Sequence, residues 1–172
     1  MSQLGSNKTN KKLFGAYDIR GIYGEGLDEA FAAKVGKAYG SYLKSAGGGK
    51  VLVGHDARTS SPSLHQSFIE GILASGNDVV DIGLASTPMA VWYAASMGFD
   101  GGAVVTASHL GKAHNGLKLY AAKAKPLGSN NGLGEIKRAV EGGELTENKE
   151  GGRVIKEEIV ATYIRCMLEH LS

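Results

Sequence analysis

The sequence has one cysteine, little net charge and no long apolar run, and each shortage excludes a class of protein. Cys166 alone cannot form an internal disulfide or a multi-cysteine metal site, which favours a reducing, cytoplasmic location. A net charge of +2 favours neither a nucleic-acid partner nor a membrane surface. Because no apolar run is long enough to cross a bilayer, we expect no membrane-spanning segment.

Glycine, in contrast, is abundant, and the apolar content is ordinary. The 26 glycines indicate tight turns or binding loops lined by backbone. A hydrophobic fraction of 42% in 172 residues fits one globular domain, which we place over residues 13–172. Residues 1–12 are polar and contain lysines, a composition typical of a flexible tail and not of a signal peptide.

Short apolar runs alternate with helical periodicity along the domain. The runs predict strands over residues 13–19, 51–53, 79–82, 103–105 and 117–121. The periodic segments predict helices over residues 28–45, 61–75, 87–97, 133–141 and 159–171, with a polar loop at 142–152. This order predicts an α/β domain with three α/β/α layers and a mixed, largely parallel sheet. Ligands of such sheets bind beyond the carboxyl ends of the strands, which directs attention to the loops after Val53, Ile82 and Val105.

The last helix has an apolar stripe from Ile159 to Leu171. A stripe at this spacing matches one complete core face, so we expect it to pack on the domain's own sheet. The alternative is that part of the stripe stays exposed and promotes association.

The loop that follows Val105 carries a serine, Ser108, at the end of a predicted strand. A serine hydroxyl alone is a weak nucleophile, whereas a phosphorylated serine is a phosphoryl donor that needs cations and backbone N–H groups around it. Glycines at 111 and 116 would let the backbone approach a phosphate. Basic side chains in and after the loop would supply charge: His109, Lys112, His114 and Lys118. The alternative is an ordinary solvated polar loop.

Two other loops contain arginines suited to phosphate oxygens or to structural ion pairs. In residues 17–21, Arg20 either binds phosphate or pairs with Asp18. In residues 54–62, we expect Asp56 and Arg58 to pair with each other or to cap the following helix.

Four segments in order carry a resemblance to a known family. They are Tyr-Asp-Ile-Arg-Gly at 17–21, Gly-His-Asp-Ala-Arg-Thr-Ser-Ser-Pro at 54–62, Asp-Ile-Gly at 81–83 with Thr-Pro at 87–88, and Thr-Ala-Ser-His at 106–109 with Asn-Gly-Leu-Lys at 115–118. The chain resembles the first domain of the α-D-phosphohexomutases, the phosphomannomutase/phosphoglucomutase family, over residues 13–171.

The resemblance implies a role for each matching residue. Ser108 would be the phosphoserine of the resting enzyme, and its phosphate would also ligate Mg²⁺. Arg20 and Tyr17 would bind phosphate, and His109 would lie against it. Lys118 would be the general acid and base for the sugar hydroxyl and would also contact the substrate. The implied reaction isomerises a hexose phosphate through a hexose 1,6-bisphosphate intermediate.

The loop at residues 110–114 departs from the family pattern, because Gly111 stands where proline is common. Glycine there restores backbone freedom, from which we expect a looser loop. His55 also replaces a frequent arginine.

The acidic metal loop, the sugar-reading loop and the C-terminal phosphate loop of the family are not in this chain. We therefore expect the isolated chain to be inactive, with the missing mutase domains as partners if they lie on another chain. Weak self-association through the active-site side is also expected.

Two other functions stay open at this point. The chain could be a non-catalytic phosphosugar-binding or assembly module that keeps the fold. A serine hydrolase is the third possibility, but no Gly-x-Ser-x-Gly motif surrounds Ser108.

Overall fold

The computed structural model describes residues 13–142, 145 and 151–170. The predicted tail over residues 1–12 lies outside this range, as do Leu171 and most of the predicted loop at 142–152. The strands are β1 (Ile19–Ile22), β2 (Lys50–His55), β3 (Asp78–Leu84), β4 (Gly101–Val105), β5 (His114–Ala121), β6 (Lys125–Pro126) and β7 (Val154–Lys156). The helices are α1 (Glu29–Ser45), α2 (Ser61–Ala74), α3 (Thr87–Ser96), α4 (Leu133–Gly142) and α5 (Val160–Glu169).

All seven strands form one mixed sheet in the order β1-β5-β4-β2-β3-β7, with β6 paired to β5. Strands β4, β2, β3 and β7 are parallel neighbours, whereas β5 runs antiparallel to both β4 and β1. The predicted α/β class with a mixed, largely parallel sheet is confirmed. In the described part of the chain, no helix is long and apolar enough to cross a membrane.

Alternation along the strands produces a separate apolar core on each face of the sheet. Val51 and Val53 point into a large core that also contains buried residues of α1, α2 and α4. Leu52 and Val104 point the opposite way, into a smaller core under α3. The helices therefore cover both faces, which gives the predicted three layers.

Helices α1 and α2 approach unusually closely because glycines line their contact. A Cβ on Gly36 would lie 2.1 Å from the carbonyl oxygen of Phe68, and a Cβ on Gly71 would lie 2.0 Å from that of Ala33. The start of α1 is fixed by Asp28, whose carboxylate accepts a hydrogen bond of 2.8 Å from the amide of Phe31. The close glycine contact thus packs α1 against α2, and the Asp28 cap fixes where α1 begins.

The first strand differs from the prediction, which placed it at Leu13–Ile19. The chain turns back instead, because the amide of Gly15 donates to the carbonyl of Asp18 and the amide of Arg20 donates to that of Leu13. Leu13 and Ile19 are both buried, so the apolar pattern predicted these core residues correctly. It did not predict that the chain turns between them and that the strand begins only at Ile19. Strand β1 then runs through Arg20 to Ile22 beside β5.

The prediction that the last helix packs its apolar stripe on the domain's own sheet is wrong. Helix α5 has no buried residue, although Ile159 just before it is 2% exposed. Tyr163 contacts Trp92 of α3 edge-to-face, with ring centroids 5.3 Å apart. The rest of the described stripe faces solvent, with large exposed fractions at Val160, Ile164 and Leu168.

Candidate active site

Ser108 lies at the carboxyl end of β4, a central strand of the sheet. Thr106 and Ala107 continue β4 as buried residues, and Ser108 is the first exposed residue after them. The φ angle of Ser108 is 59°, in the left-handed region that residues other than glycine seldom adopt. Its amide donates a hydrogen bond of 2.9 Å to Oγ1 of Thr106. The loop therefore holds Ser108 in a strained and exposed position at the ligand-binding edge of the sheet.

The guanidinium of Arg58 lies inside the curve of this loop and donates to four of its carbonyl oxygens. Nη1 donates to Gly111 at 2.9 Å and to His114 at 3.1 Å. Nη2 donates to Ser108 at 3.0 Å and to Leu110 at 2.8 Å. One side chain from the loop after β2 thus contacts the loop after β4 at four carbonyls, including that of Gly111.

Asp56 orients Arg58, as the predicted pairing of these two residues requires. Its Oδ2 accepts from Nε of Arg58 at 3.0 Å, and Oδ1 accepts from the Ser61 hydroxyl at 2.5 Å. Burial alone would raise the pKa of Asp56, but hydrogen bonds from Ser61 and Thr106 and the charge of Arg58 hold that pKa below its ordinary value. The carboxylate is therefore a charged, fixed member of the site.

Arg20 reaches the same loop from β1. Its Nε pairs with Asp18 at 2.7 Å, which was the structural alternative for this residue. Its Nη1 also donates to the carbonyl oxygen of Ala107 at 3.3 Å, directly before Ser108. The ion pair with Asp18 therefore places the guanidinium beside the candidate nucleophile.

Lys118 lies on β5, opposite Val104 of β4, and Arg20 lies opposite Gly116 of β5. Residues opposite each other on antiparallel strands share a face of the sheet, so Arg20 is on the same face as position 116. Residues two apart on one strand also share a face, so Lys118 projects from that face as well. Lys118 is half-buried there. On the same face burial and the nearby charge of Asp18 raise the pKa of Tyr120. The pairing of β5 with β1 and β4 thus places the Arg20 and Lys118 side chains on one face of the sheet.

The remaining predicted site residues are more exposed. Tyr17 is 73% exposed, in the turn before β1, with its ring close to Gly128. His109 and Lys112 are exposed within the Ser108 loop. His114 starts β5, and its Nδ1 atom is buried without a hydrogen-bond partner among the described residues. The structure therefore brings Arg20 and the Ser108 loop into direct contact and leaves Tyr17 and His109 on the surrounding surface.

A cavity of about 940 Å³ lies beside the Ser108 loop. Arg58 and Asp56 line its inner wall, and Leu110, Lys112 and Ala113 of the loop line another side. Residues of the loop after β2 and of the Ser108 loop therefore share one concave surface.

A second polar pocket, which the sequence analysis did not identify, lies at the ends of β2, β3 and β7. His65 is 5% exposed, and its Nε2 atom lies 3.1 Å from Oδ1 of Asp81, an ion-pair contact without hydrogen-bond geometry. The His55 ring contacts the His65 ring, with centroids 4.7 Å apart. Burial would raise the pKa of Asp81, but His65, the Gly83 amide and the charge of Lys156 hold it below its ordinary value.

A Mg²⁺ ion takes several oxygen ligands in near-octahedral geometry. Within residues 13–142, 145 and 151–170, no group of three or more His, Cys, Asp or Glu side chains is placed to hold a metal ion. Ser108, or a phosphate on it, offers one oxygen ligand. These residues alone do not fit a complete Mg²⁺ site.

Comparison with known proteins identifies the family. The family profile described as phosphoglucomutase/phosphomannomutase, alpha/beta/alpha domain I, matches residues 11–147. The chain belongs to this family. The predicted resemblance is confirmed, and the matched region includes β1 to β5 and the whole Ser108 loop.

Individual relatives agree with the family profile. A phosphomannomutase of Klebsiella pneumoniae is 44% identical over 133 residues, which cover 77% of this chain and 83% of that protein. A protein of Thermococcus kodakarensis named "Probable phosphoglucosamine mutase" is 45% identical over 111 residues, covering 64% of this chain and 24% of that protein. A phosphoglucomutase/phosphomannomutase family protein of Burkholderia thailandensis has a related structure, with a TM-score of 0.82 and 30% identity. It covers 90% of this chain, whereas this chain spans only 35% of it.

Proposed function

We propose that this chain is the nucleophile-bearing part of a phosphohexomutase, with Ser108 as the residue that carries the transferred phosphoryl group. The observation that carries the proposal is the Ser108 loop itself. The serine is exposed at the end of a central strand, its backbone is held at φ 59°, and the guanidinium of Arg20 donates to the preceding carbonyl. In domain I of the mutase family, such a loop would present the serine that carries the transferred phosphoryl group.

In the proposed reaction, a hydroxyl oxygen of a hexose monophosphate attacks the phosphorus on phosphorylated Ser108. The bond from phosphorus to Oγ of Ser108 breaks, which yields a hexose 1,6-bisphosphate and a free serine hydroxyl. The other phosphoryl group of the bisphosphate then returns to Oγ. The loose transition state of phosphoryl transfer needs positioning and charge stabilisation more than covalent chemistry from the protein.

This chain's own residues would move the proton and hold the phosphate. Lys118 would take the proton of the attacking hydroxyl and return a proton to Oγ of Ser108. Arg20 binds phosphate oxygens, as a guanidinium next to Ala107 can do in bidentate fashion. His109 and Tyr17, both on the exposed rim, add contacts to the phosphate and the substrate.

The only role that we propose for Mg²⁺ is to neutralise charge at the phosphate of Ser108. Its remaining oxygen ligands must come from outside the described residues. We propose that residues outside the described part of the chain also determine which sugar is bound. The described part resembles both a relative named for mannose phosphate and one named for glucosamine phosphate. We therefore propose negligible complete turnover by this chain alone, and cytoplasmic hexose phosphates as the substrate class.

A loosened loop at residues 110–114 would slightly favour the non-catalytic alternative, whereas the presence of Ser108, His109, Lys118 and Arg20 argues against it. Arg58 donates to the carbonyls of Leu110, Gly111 and His114, so the structure does not support that reason. The mutase proposal is accordingly the one we retain.

Intact-mass spectrometry tests the proposal directly. The chain is incubated with glucose 1,6-bisphosphate and Mg²⁺, and we expect a slow gain of one phosphoryl group that is absent from Ser108→Ala. Ser96→Ala, an exposed serine at the end of α3, is the matched control and should still gain the group. No phosphate on the unmodified chain, or an equal gain by Ser108→Ala, would contradict the proposal. A fluorophosphonate adduct on Ser108 would instead support a hydrolase.

A further inference from the structure

We propose that Arg58 is the positioning residue of the nucleophile loop: all five of its guanidinium N–H donors are used within the protein, and their function is to fix the backbone that presents Ser108. The inference rests on the proposed function, because positioning matters only if Ser108 transfers phosphate. It assigns to Arg58 a role different from that of the phosphate-binding Arg20.

The donor count separates the two roles. A guanidinium has five N–H groups in a fixed planar fork. Nε of Arg58 donates to Asp56, both Nη1 donors are directed to Gly111 and His114, and both Nη2 donors are directed to Ser108 and Leu110. No N–H group is left for a phosphate oxygen. Arg58 therefore acts on the reaction through the loop.

The backbone of Ser108 explains why such a clamp is needed. A left-handed conformation is strained for a residue with a side chain, so surrounding contacts must hold it. The amide of Ser108 donates to Thr106 Oγ1, and its carbonyl accepts from Arg58. Asp56 supports the clamp in turn, since its carboxylate accepts from Nε of Arg58 and from the Ser61 hydroxyl.

The position of Arg58 in the fold makes the support rigid. Its side chain is only 14% exposed, and the amide of Asp56 donates to the carbonyl of Val105 at 3.0 Å. The loop after β2 is thereby attached to the end of β4 by backbone as well as by side chains. A lysine could not replace Arg58, because one ammonium has three donors and no fork that spans four carbonyls.

The experiment compares Arg58→Ala and Arg58→Lys with Arg138→Ala, an exposed arginine on α4. Hydrogen exchange of the amides of Ser108, Leu110 and His114 measures the clamp itself. The rate of Ser108 phosphorylation by glucose 1,6-bisphosphate measures its consequence. Misplacement of a reacting group by an ångström can cost about 100-fold, so we expect a loss of that order in both Arg58 variants and none in Arg138→Ala.

Two further readouts distinguish positioning from simple loss of stability. First, guanidinium ion at a non-denaturing concentration should restore part of the phosphorylation rate of Arg58→Ala. Second, Arg58→Lys should still unfold cooperatively on heating, while the amides of its Ser108 loop exchange faster than in the unmodified chain. Unchanged exchange and rate in either variant would overturn the inference. If the unmodified chain is not phosphorylated at all, the proposed function fails, but loop exchange still decides whether Arg58 is the clamp.

Discussion

A Cβ atom on Gly116 would lie 2.1 Å from the carbonyl oxygen of Ile19, so β5 and β1 meet at a point with no room for a side chain. The same Cβ would lie 3.1 Å from the carbonyl oxygen of Thr106. Gly116 also accepts a hydrogen bond of 2.9 Å from the amide of Thr106. This glycine therefore joins the strand that carries Arg20 to the start of the Ser108 loop.

We predict that Gly116→Ala destabilises the protein by about 1–3 kcal/mol, because backbone must move to admit the methyl group. The displacement should also separate Arg20 from Ala107 and slow Ser108 phosphorylation. Chemical denaturation gives the loss of stability, and the phosphorylation rate gives the loss at the site. An unchanged denaturation midpoint would show that the close approach is not a constraint.

Gly111→Ala provides the matched comparison within the same loop. A Cβ there would meet no atom within 4 Å, and Gly111 does not have a φ in the left-handed range. We therefore expect a stability gain of about 0.4–1 kcal/mol from reduced freedom of the unfolded chain. Denaturation under the same conditions as for Gly116→Ala checks this. A loss of stability at this position would mean that the loop needs glycine for a reason other than space.

Acid should weaken the protein partly through Asp56. Its folded-state pKa lies below the ordinary value of about 3.9, so the stability it contributes is present above that pH and is lost as pH falls through the folded pKa. We predict that Asp56→Asn is less stable than the unmodified protein at neutral pH, and that this difference shrinks below pH about 4. Melting temperatures measured from acidic to neutral pH test this. A constant difference at all pH values would exclude the carboxylate charge as the cause.

The exposed apolar stripe of α5 predicts association of the chain. Val160, Ile164 and Leu168 are spaced four residues apart and are 43%, 51% and 61% exposed. We predict that light scattering over a concentration series detects oligomers, and that Ile164→Lys reduces them without lowering the melting temperature. Thr162→Lys, two residues from both Val160 and Ile164, is the control. A monomer at every concentration would contradict the prediction.

Much of the fold could be predicted from local patterns. Apolar runs ending near Val53, Ile82 and Val105 predicted the central strands, and helical periodicity between them predicted the covering layers. Together they also identified the loops that contain the candidate site. Strand β7 was missed because Val154–Lys156 is short, entirely exposed and surrounded by polar residues. Helix α5 lies where it was predicted, but the packing of its stripe was predicted wrongly, because periodicity identifies an apolar face and not what covers it.

The candidate site could be predicted only in part, for a similar reason. Ser108, Arg20 and Lys118 follow from motifs and strand ends, which are local features. The function of Arg58 depends on contacts with carbonyls 50 to 56 residues away, which no local pattern contains. The contact of His65 with Asp81 is equally non-local and was not predicted.

The central claim is that the phosphate on Ser108 can be transferred to a sugar phosphate. The most direct measurement starts from chain phosphorylated on Ser108, removes excess bisphosphate, adds mannose 6-phosphate or glucose 6-phosphate, and follows the phosphopeptide and the sugar product by mass spectrometry. The account predicts that Ser108 loses its phosphoryl group while a hexose 1,6-bisphosphate forms in equal amount, faster than in Lys118→Ala. Loss of the group to water alone, or a phosphoserine that is inert to both sugars, would contradict it.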